Sequence, residues 1–477
     1  MRIFRSRSEL RPHEATPESI YCVSTESVSI SSEAKSPLGG FTAEVFAAHL
    51  ATQKSAPAWW LERKRAAYEK FAGLPLPKRT DEAWRFSNIG TLTLDGFVPA
   101  TAGAKSAEKM AAFAEVERSA SLVFTDNALT SRSVARELEA KGVIVTTLSE
   151  AAAKHADLLK AHFMAQPQKL GSEKFAALHA AFVGDGAFIY VPKNVEIPGP
   201  ILVSHLASGP RAAVFPHTLV ILEENAKATV FDYFAAAAAN PQSATRNPQF
   251  SQLAVGANDL YAAHGAQLTY VAAQNWAPNT LSFQFNSTIV RRDARVQSLN
   301  LHLGGRQARH ESLSQLQAPG AFSEMLALTV AEQTQEFDQR TLQIHQAPNT
   351  KSDLLYKNAL RDQSRTIFSG LIVVDPDAQK TDAYQSNRNL MLSDDAEANA
   401  LPGLEILAND VRCTHGATTS RIDPEQEFYL QARGIAKEEA DELLTFGFFE
   451  EVLSRLESQP LHDALAQLIR EKFTAKK

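Results

Sequence analysis

Cysteine is nearly missing from this chain. Among 477 residues only Cys22 and Cys413 occur. Two thiols so far apart exclude a disulfide scaffold, and they cannot make a four-thiolate metal centre within one chain. Long hydrophobic runs are missing too: no stretch approaches the roughly 18 apolar residues that a membrane-spanning helix requires. Nor is there an excess of basic charge. Lys and Arg number 48 against 54 Asp and Glu, a net charge of −6, which speaks against nucleic acid as the main partner. Several catalytic signatures are also absent. No Gly-x-x-x-x-Gly-Lys-Ser/Thr segment occurs, so the chain carries no P-loop of its own. Gly184-Asp185-Gly186 lacks the third glycine of a dinucleotide fingerprint. His310-Glu311 begins like a zinc-protease motif, but Ser314 stands where the second His belongs. There is no Gly-x-Ser-x-Gly elbow. Each absence lowers the prospect of autonomous catalysis.

What is present is the material of a large globular protein. Hydrophobic residues make up 44% and charged residues 21%, enough for a sizeable core. At roughly 150 residues per domain, the length suggests about three domains. Residues 1–40 read as a disordered tail. Arg2, Arg5, Arg7 and Arg11 are followed by no apolar segment, so a secretory signal is not expected. Glu9, Glu14, Glu18, Glu26 and Glu33 speak against an organelle transit peptide. A cytoplasmic location is expected, with Cys22 incidental to the tail.

Residues 41–183 read as a helical or mixed domain. Trp60, Leu61, Tyr68 and Phe71 fall near one helical face, and Pro57 separates two helices. Val134 and Leu138, four apart, fit one short helix, and Val143-Ile144-Val145 a short buried strand. A third helical stretch is expected from about Ser149 to Phe182.

The pattern changes at Gly184. From there to about Ser420 the period is two: Leu281, Phe283 and Phe285 alternate with Ser282, Gln284 and Asn286, and Leu299, Leu301 and Leu303 repeat the alternation. Strands over 184–420 require a closed or stacked architecture. No blade motif at 40–50 residues marks a propeller. A parallel β-helix accommodates short strands, mixed faces and irregular turns. Ala235–Ala239 is a low-complexity segment, and Asn240–Phe250 looks like an inserted loop. Residues 421–477 are helical again: Leu443, Leu444, Phe448, Phe449, Val452 and Leu456 form a wide apolar stripe that suits packing on the β core or a partner.

Most candidate chemistry dissolves on inspection. Asp394 and Asp395 are adjacent and suit an exposed turn better than a paired acid and base. His155, His162, His179, His205, His217, His264, His302, His310 and His345 are scattered and read as structural or surface residues. His302 and His310 would meet only if the Gly304-Gly305 turn closed a hairpin. The exception is Val411-Arg412-Cys413-Thr414-His415-Gly416-Ala417-Thr418. On an extended strand Cys413 and His415 share a face. A thiol beside an imidazole is a half-site for a soft metal ion or a sulfur species, and an imidazolium would favour the thiolate. Two ligands do not close a tetrahedral site, so others must come from elsewhere. Alternatively, Cys413 is a small buried residue beside a structural histidine.

The run Gln379-Lys380-Thr381-Asp382-Ala383-Tyr384-Gln385-Ser386-Asn387-Arg388-Asn389-Leu390 followed by Ser393-Asp394-Asp395-Ala396 resembles the SufB/SufD family of iron–sulfur cluster assembly proteins. Leu404-Glu405-Ile406, Cys413–Thr418 and Phe428–Ile435 continue the likeness. His345, Asn349–Ser352 and Phe368–Gly370 fit upstream, and Asp81-Glu82-Ala83-Trp84-Arg85-Phe86 looks like a SufD-type entry motif. The likeness runs from about Phe41 to the C-terminus, dense over Gln379–Ile435 and thin over Thr91–Phe182. No cysteine lies in Ser393–Asn399, where the SufB branch carries its working one, and this points to the SufD branch.

The resemblance implies a mainly β fold, with a right-handed parallel β-helix core flanked by N- and C-terminal α-helical regions. It implies a non-catalytic subunit that pairs with a SufB-like paralogue and docks a SufC-like ATPase through the C-terminal helices. ATP hydrolysis then belongs to the partner. His415, with Cys413 as its less certain neighbour, would form a transient interface half-site for a nascent iron–sulfur cluster shared with the paralogue. A flavin has been associated with complexes of the family, but no motif locates one here. The alternative is an independent β-helix enzyme acting on polysaccharide, which would need a carboxylate or Lys/Arg cluster along a groove.

Overall fold

The computed structural model describes residues 36–101, 113, 116–236 and 250–474. Cys22, nearly all of the expected 1–40 tail, and most of the low-complexity segment and inserted loop at 235–250 lie outside the described residues. The N-terminal helices are α1 (Ala43–Thr52), α2 (Ala58–Gly73), α3 (Arg136–Ala140), α4 (Leu148–Lys154), α5 (Ala156–His162) and α6 (Glu173–Phe182). The Thr42 hydroxyl caps α1 by accepting from the Val45 amide, and Pro57 separates α1 from α2, as its fixed φ dictates.

Early strands are β1 (Val98–Pro99), β2 (Ala120–Thr125), β3 (Ala128–Val134), β4 (Ile144–Thr147) and β5 (Ala187–Val191). Then come β6 (Ile201–Ala207), β7 (Ala212–Val214), β8 (His217–Leu222), β9 (Lys227–Ala236), β10 (Gln252–Ala262), β11 (Gln267–Asn275), β12 (Thr280–Val290), β13 (Arg295–His302) and β14 (Gln307–Leu316). The last are β15 (Phe322–Ala331), β16 (Glu336–His345), β17 (Lys351–Leu360), β18 (Arg365–Val374), β19 (Asp382–Met391), β20 (Glu397–Ile406) and β21 (Arg412–Arg421). The chain closes with α7 (Pro424–Ala432), α8 (Lys437–Leu453) and α9 (Gln459–Thr474).

The strands form two parallel sheets of a solenoid of about eight turns. One sheet runs β20-β18-β16-β14-β12-β10-β8-β5, the other β21-β19-β17-β15-β13-β11-β9-β6-β2. Each turn places one strand in each sheet, and from β11 to β21 register partners in successive coils are 27 to 31 residues apart along the chain. Two upstream readings need correction. Val134 ends β3 rather than sharing a helix with Leu138, because the antiparallel ladder with β2 captures it. The stretch from Ser149 to Phe182 is three helices, broken at His155 and again by the loop that contains Gly171.

The period-two alternation has a definite orientation. Leu281, Phe283 and Phe285 face outward and pack under the N-terminal helices, where Phe175 stacks on Phe283 with centroids 3.9 Å apart. Leu299, Leu301 and Leu303 also face outward, under Phe449, Val452, Leu453 and Leu465 of α8 and α9. The apolar stripe of α8 is thus largely spent on the β core. The interior starts apolar, with Ile201, Val203, Val220, Val230 and Leu268. It turns polar in the middle coils, where Asn286 donates across the lumen to Asn300 at 3.4 Å and along its own sheet to its register partner Ser312 at 3.0 Å.

The segment Asp81–Phe86 is a strap over the outer face of β14 and β16. Trp84 donates its indole N–H to the Gly171 carbonyl at 2.9 Å, and the Arg309 guanidinium lies 3.9 Å above the Trp84 ring. Arg309 also donates to the carbonyls of Ala83 and Leu170 and pairs with Glu311 at 2.7 Å and Asp338 at 2.5 Å, the three charged side chains all buried. Arg340 pairs with Asp338 and donates to the Arg85 carbonyl. Gly171 has φ +105°, and a Cβ there would stand 2.4 Å from Ala83 Cβ, so the strap requires glycine at that crossing.

Candidate functional site

Cys413 and His415 lie on β21, the outermost strand of its sheet, in the last coil of the solenoid. Their Cα partners on β19 are Ala383 and Gln385. Side chains two apart share a face, and this one is the inner face: half-buried Cys413 packs with Ile372, Val374, Ala383 and Ala408. His415 is exposed. Burial pushes the Cys413 thiol above its ordinary value, a backbone hydrogen bond with Ala383 pulls the other way, and the Asp382 carboxylate raises it further. The expected thiolate therefore gives way to a thiol in the isolated chain, because desolvation and a nearby anion both disfavour the charged form. Among the described residues, no group of three His, Cys, Asp or Glu side chains converges on a metal position. Cys413 and His415 share a face without a third such ligand.

The coil that carries them ends both sheets. Among the described residues, β20 pairs only with β18, and β21 only with β19. Two ten-residue strands thus present unpaired backbone edges, and Ile406 and Leu407 are exposed beside them. Asp394 and Asp395 sit in the exposed turn before β20, where Asp394 pairs with Arg421 of β21.

The buried histidines have structural surroundings. His345 is saturated, its Nδ1 2.8 Å from the Thr350 hydroxyl and its Nε2 2.9 Å from that of Ser352. His302 and His310 do meet, with ring centroids 3.9 Å apart. They meet across the lumen from opposite sheets, since the Gly304-Gly305 corner leads from β13 to β14 rather than closing a hairpin. Burial is the main cause that holds His302 well below its ordinary value and pushes His310 down to about 4. From His302 a chain of amides continues along the lumen. Gln339 contacts the His302 ring at 3.2 Å and donates to Asn358, Asn358 donates to Asn389 at 2.8 Å, and Asn389 donates to the Thr418 carbonyl on β21 at 3.3 Å. Sequence reasoning missed this ladder. Its signal is faint: Asn358 and Asn389 share one register position in successive coils, Thr329 and Thr419 hold it on either side, and Gln339 joins from the opposite sheet.

The C-terminal helices carry a second exposed feature. α7 buries no residue, and Phe428 and Tyr429 are 73% and 56% exposed. Pro424 at the first turn and the Asp423 side-chain cap fix its start.

Among the described residues, no helix is long and apolar enough to cross a membrane. Residues 205–448 match the family model for the SufBD core domain of the SUF system for iron–sulfur cluster assembly, and residues 44–203 match the model for the SufBD N-terminal region. The chain is 31% identical to the iron–sulfur cluster assembly protein SufD of Bacillus subtilis, over 87% of this chain and 94% of that protein. It is 28% identical to a SufBD-family iron–sulfur cluster assembly protein of Synechocystis, over 86% and 90% of the two chains, and 28% identical to one of Mycobacterium leprae, over 64% and 75%. With both models matched end to end along a two-sheet β-solenoid flanked by helices, the chain belongs to the SufBD family of iron–sulfur cluster assembly proteins, on its SufD branch.

Proposed function

We propose that the chain is the non-catalytic half of a cluster-building scaffold, pairing through its last coil with a SufB-like paralogue and through its C-terminal helices with a SufC-like ATPase. The observation that carries this reading is the open solenoid end. Two unpaired parallel edges of ten residues each are templates for another chain. They stand beside the one strand that brings a thiol and an imidazole to a common face. A second solenoid docked end to end would cover the edges and supply the ligands that Cys413 and His415 lack.

His415 then offers an imidazole nitrogen to iron at the joint, and Cys413 gains reactivity only if a partner cation or metal offsets its burial. The nascent iron–sulfur cluster is cargo shared with the paralogue, not a resident cofactor. ATP hydrolysis falls to the partner, consistent with the lack of a P-loop. The exposed Phe428–Tyr429 face of α7 suits the ATPase contact. A flavin belongs to the same proposal only as a component of the complex, and no group of side chains argues for a site on this chain. Polysaccharide chemistry is not favoured by the family match.

The test is His415→Ala in the assembled complex, reconstituted anaerobically with ferrous iron and sulfide. The expected result is a cluster yield reduced by about tenfold or more, the scale of losing a group that holds or orients a metal, with complex recovery unchanged. Wild-type yield from that variant, and from the His415→Ala and Cys413→Ala double variant, would leave the chain as a structural mount.

A further inference from the structure

Gln385 sits beside His415 in the ladder, and its surroundings point to a task. We propose that Gln385 is a positioning residue for His415: its side-chain oxygen receives one ring N–H of His415 and leaves the other ring nitrogen free to face the partner. This rests on the reading of His415 as a cluster ligand.

Gln385 and His415 are Cα partners in the parallel pairing of β19 with β21, and both project to the inner face. Adjacent strands lie about 4.7–4.9 Å apart, so the two side chains are neighbours on that face. Gln385 is fully buried. Its Nε2 donates to the Gly370 carbonyl of β18, across the lumen, at 3.3 Å. Its Oε1 is buried as well and has no hydrogen-bond partner. Leaving such an acceptor unpaired costs about 1–3 kcal/mol, so an orphan of this kind calls for an explanation.

The fold makes room for it. A Cβ on Gly370 would stand 2.4 Å from Gln385 Oε1 and 2.7 Å from Phe368 Cζ, so any residue but glycine would displace the amide. His415 is exposed and its side chain forms no hydrogen bond or ion pair among the described residues, so the ring is free to turn.

The chemistry then closes. A ligating imidazole binds through one nitrogen, and the acceptor on its other N–H fixes tautomer and ring direction. Gln385 offers that acceptor on an amide already anchored from the opposite sheet.

The experiment compares wild type, Gln385→Leu, Gln385→Glu and His415→Ala in the full complex, reconstituted anaerobically with ferrous iron and sulfide. Cluster yield is read alongside pulsed electron paramagnetic resonance of the reduced cluster, which reports a strongly coupled imidazole nitrogen. The inference predicts that Gln385→Leu lowers yield about tenfold or more and weakens or splits the nitrogen coupling, with complex recovery and thermal midpoint unchanged. Gln385→Glu keeps an acceptor but cannot donate to the Gly370 carbonyl, so it restores both only in part. If Gln385→Leu keeps wild-type yield and coupling while His415→Ala loses them, the Gln385 role is overturned and the ligand reading stands. If His415→Ala itself keeps yield and the wild-type spectrum, the ligand reading falls and the Gln385 role falls with it.

Discussion

Arg309 shows how one buried side chain ties the two halves of the chain together. Its guanidinium is shared among two carboxylates, two backbone carbonyls and the face of Trp84. Desolvation opposes this charge, but Asp338 and Glu311 outweigh it and hold the guanidinium above its ordinary value, so the group stays ionised. Replacing only one member of such a network strands the others. Arg309→Met is therefore expected to destabilise the fold by about 3–5 kcal/mol, read as a lower denaturant midpoint at unchanged slope; a change within about 0.5 kcal/mol would mean that the strap carries no weight. At this scale the sequence was partly legible. Trp84 and its neighbours stood out as a motif, yet nothing in the spacing linked Trp84 to Arg309, because that contact spans 225 residues of chain and depends on which strands become neighbours. Cys413 and His415 were legible as a pair on one face because a strand's period is two. That the face is the inner one, and that Cys413 is held as a thiol, depends on the coil beneath it. Gln385 was visible as part of a motif but had no role until its register with His415 and its orphan oxygen were known.

At the scale of elements, the strands announced themselves and their stacking did not. Period-two alternation at Leu281–Phe285 and Leu299–Leu303 marks β12 and β13. Only the fold shows that these leucines and phenylalanines face outward under helices, while the intervening polar residues fill the lumen. The stretch before Gly184 looks like one helix in sequence because alanine-rich helices look alike across short breaks; His155 and the Gly171 loop interrupt it. The C-terminal helices divide their labour. α8 and α9 bury Phe449, Val452, Leu461 and Leu465 on the β core, whereas α7 exposes Phe428 and Tyr429. Phe428→Ala with Tyr429→Ala should change stability by no more than about 0.5 kcal/mol and abolish ATPase retention while sparing the paralogue. Loss of both partners, or a lowered thermal midpoint, would count against α7 as the docking element.

For the whole molecule, the buried histidines set a pH response. Burial is the leading cause that pushes His49 and His205 down to about 3, His310 and His345 down to about 4, and holds His179 and His302 well below the ordinary value. Below the ordinary histidine value of about 6.5 the unfolded chain takes up protons that the folded chain refuses, so stability falls as pH falls, by up to about 1.4 kcal/mol per pH unit per group. Asp232, pushed up to about 7 by burial, works in the opposite sense: it removes stability as pH rises toward 7. Asp185, Glu336 and Asp441, also raised by burial, act in the same sense as Asp232, but the six imidazoles outnumber these carboxyls and dominate. The urea midpoint should therefore drop steeply between pH 6.5 and 5, and His345→Gln should flatten the drop; a flat profile would contradict the burial of these rings.

The most direct test of the account as a whole is recovery of the tagged chain from its native cell extract under anaerobic conditions, with co-purifying chains identified by mass. The account predicts a P-loop ATPase and a cysteine-bearing paralogue in the eluate, with the paralogue cross-linked to β20 and β21. Recovery of the chain alone, from an extract in which both partners are present, would contradict it.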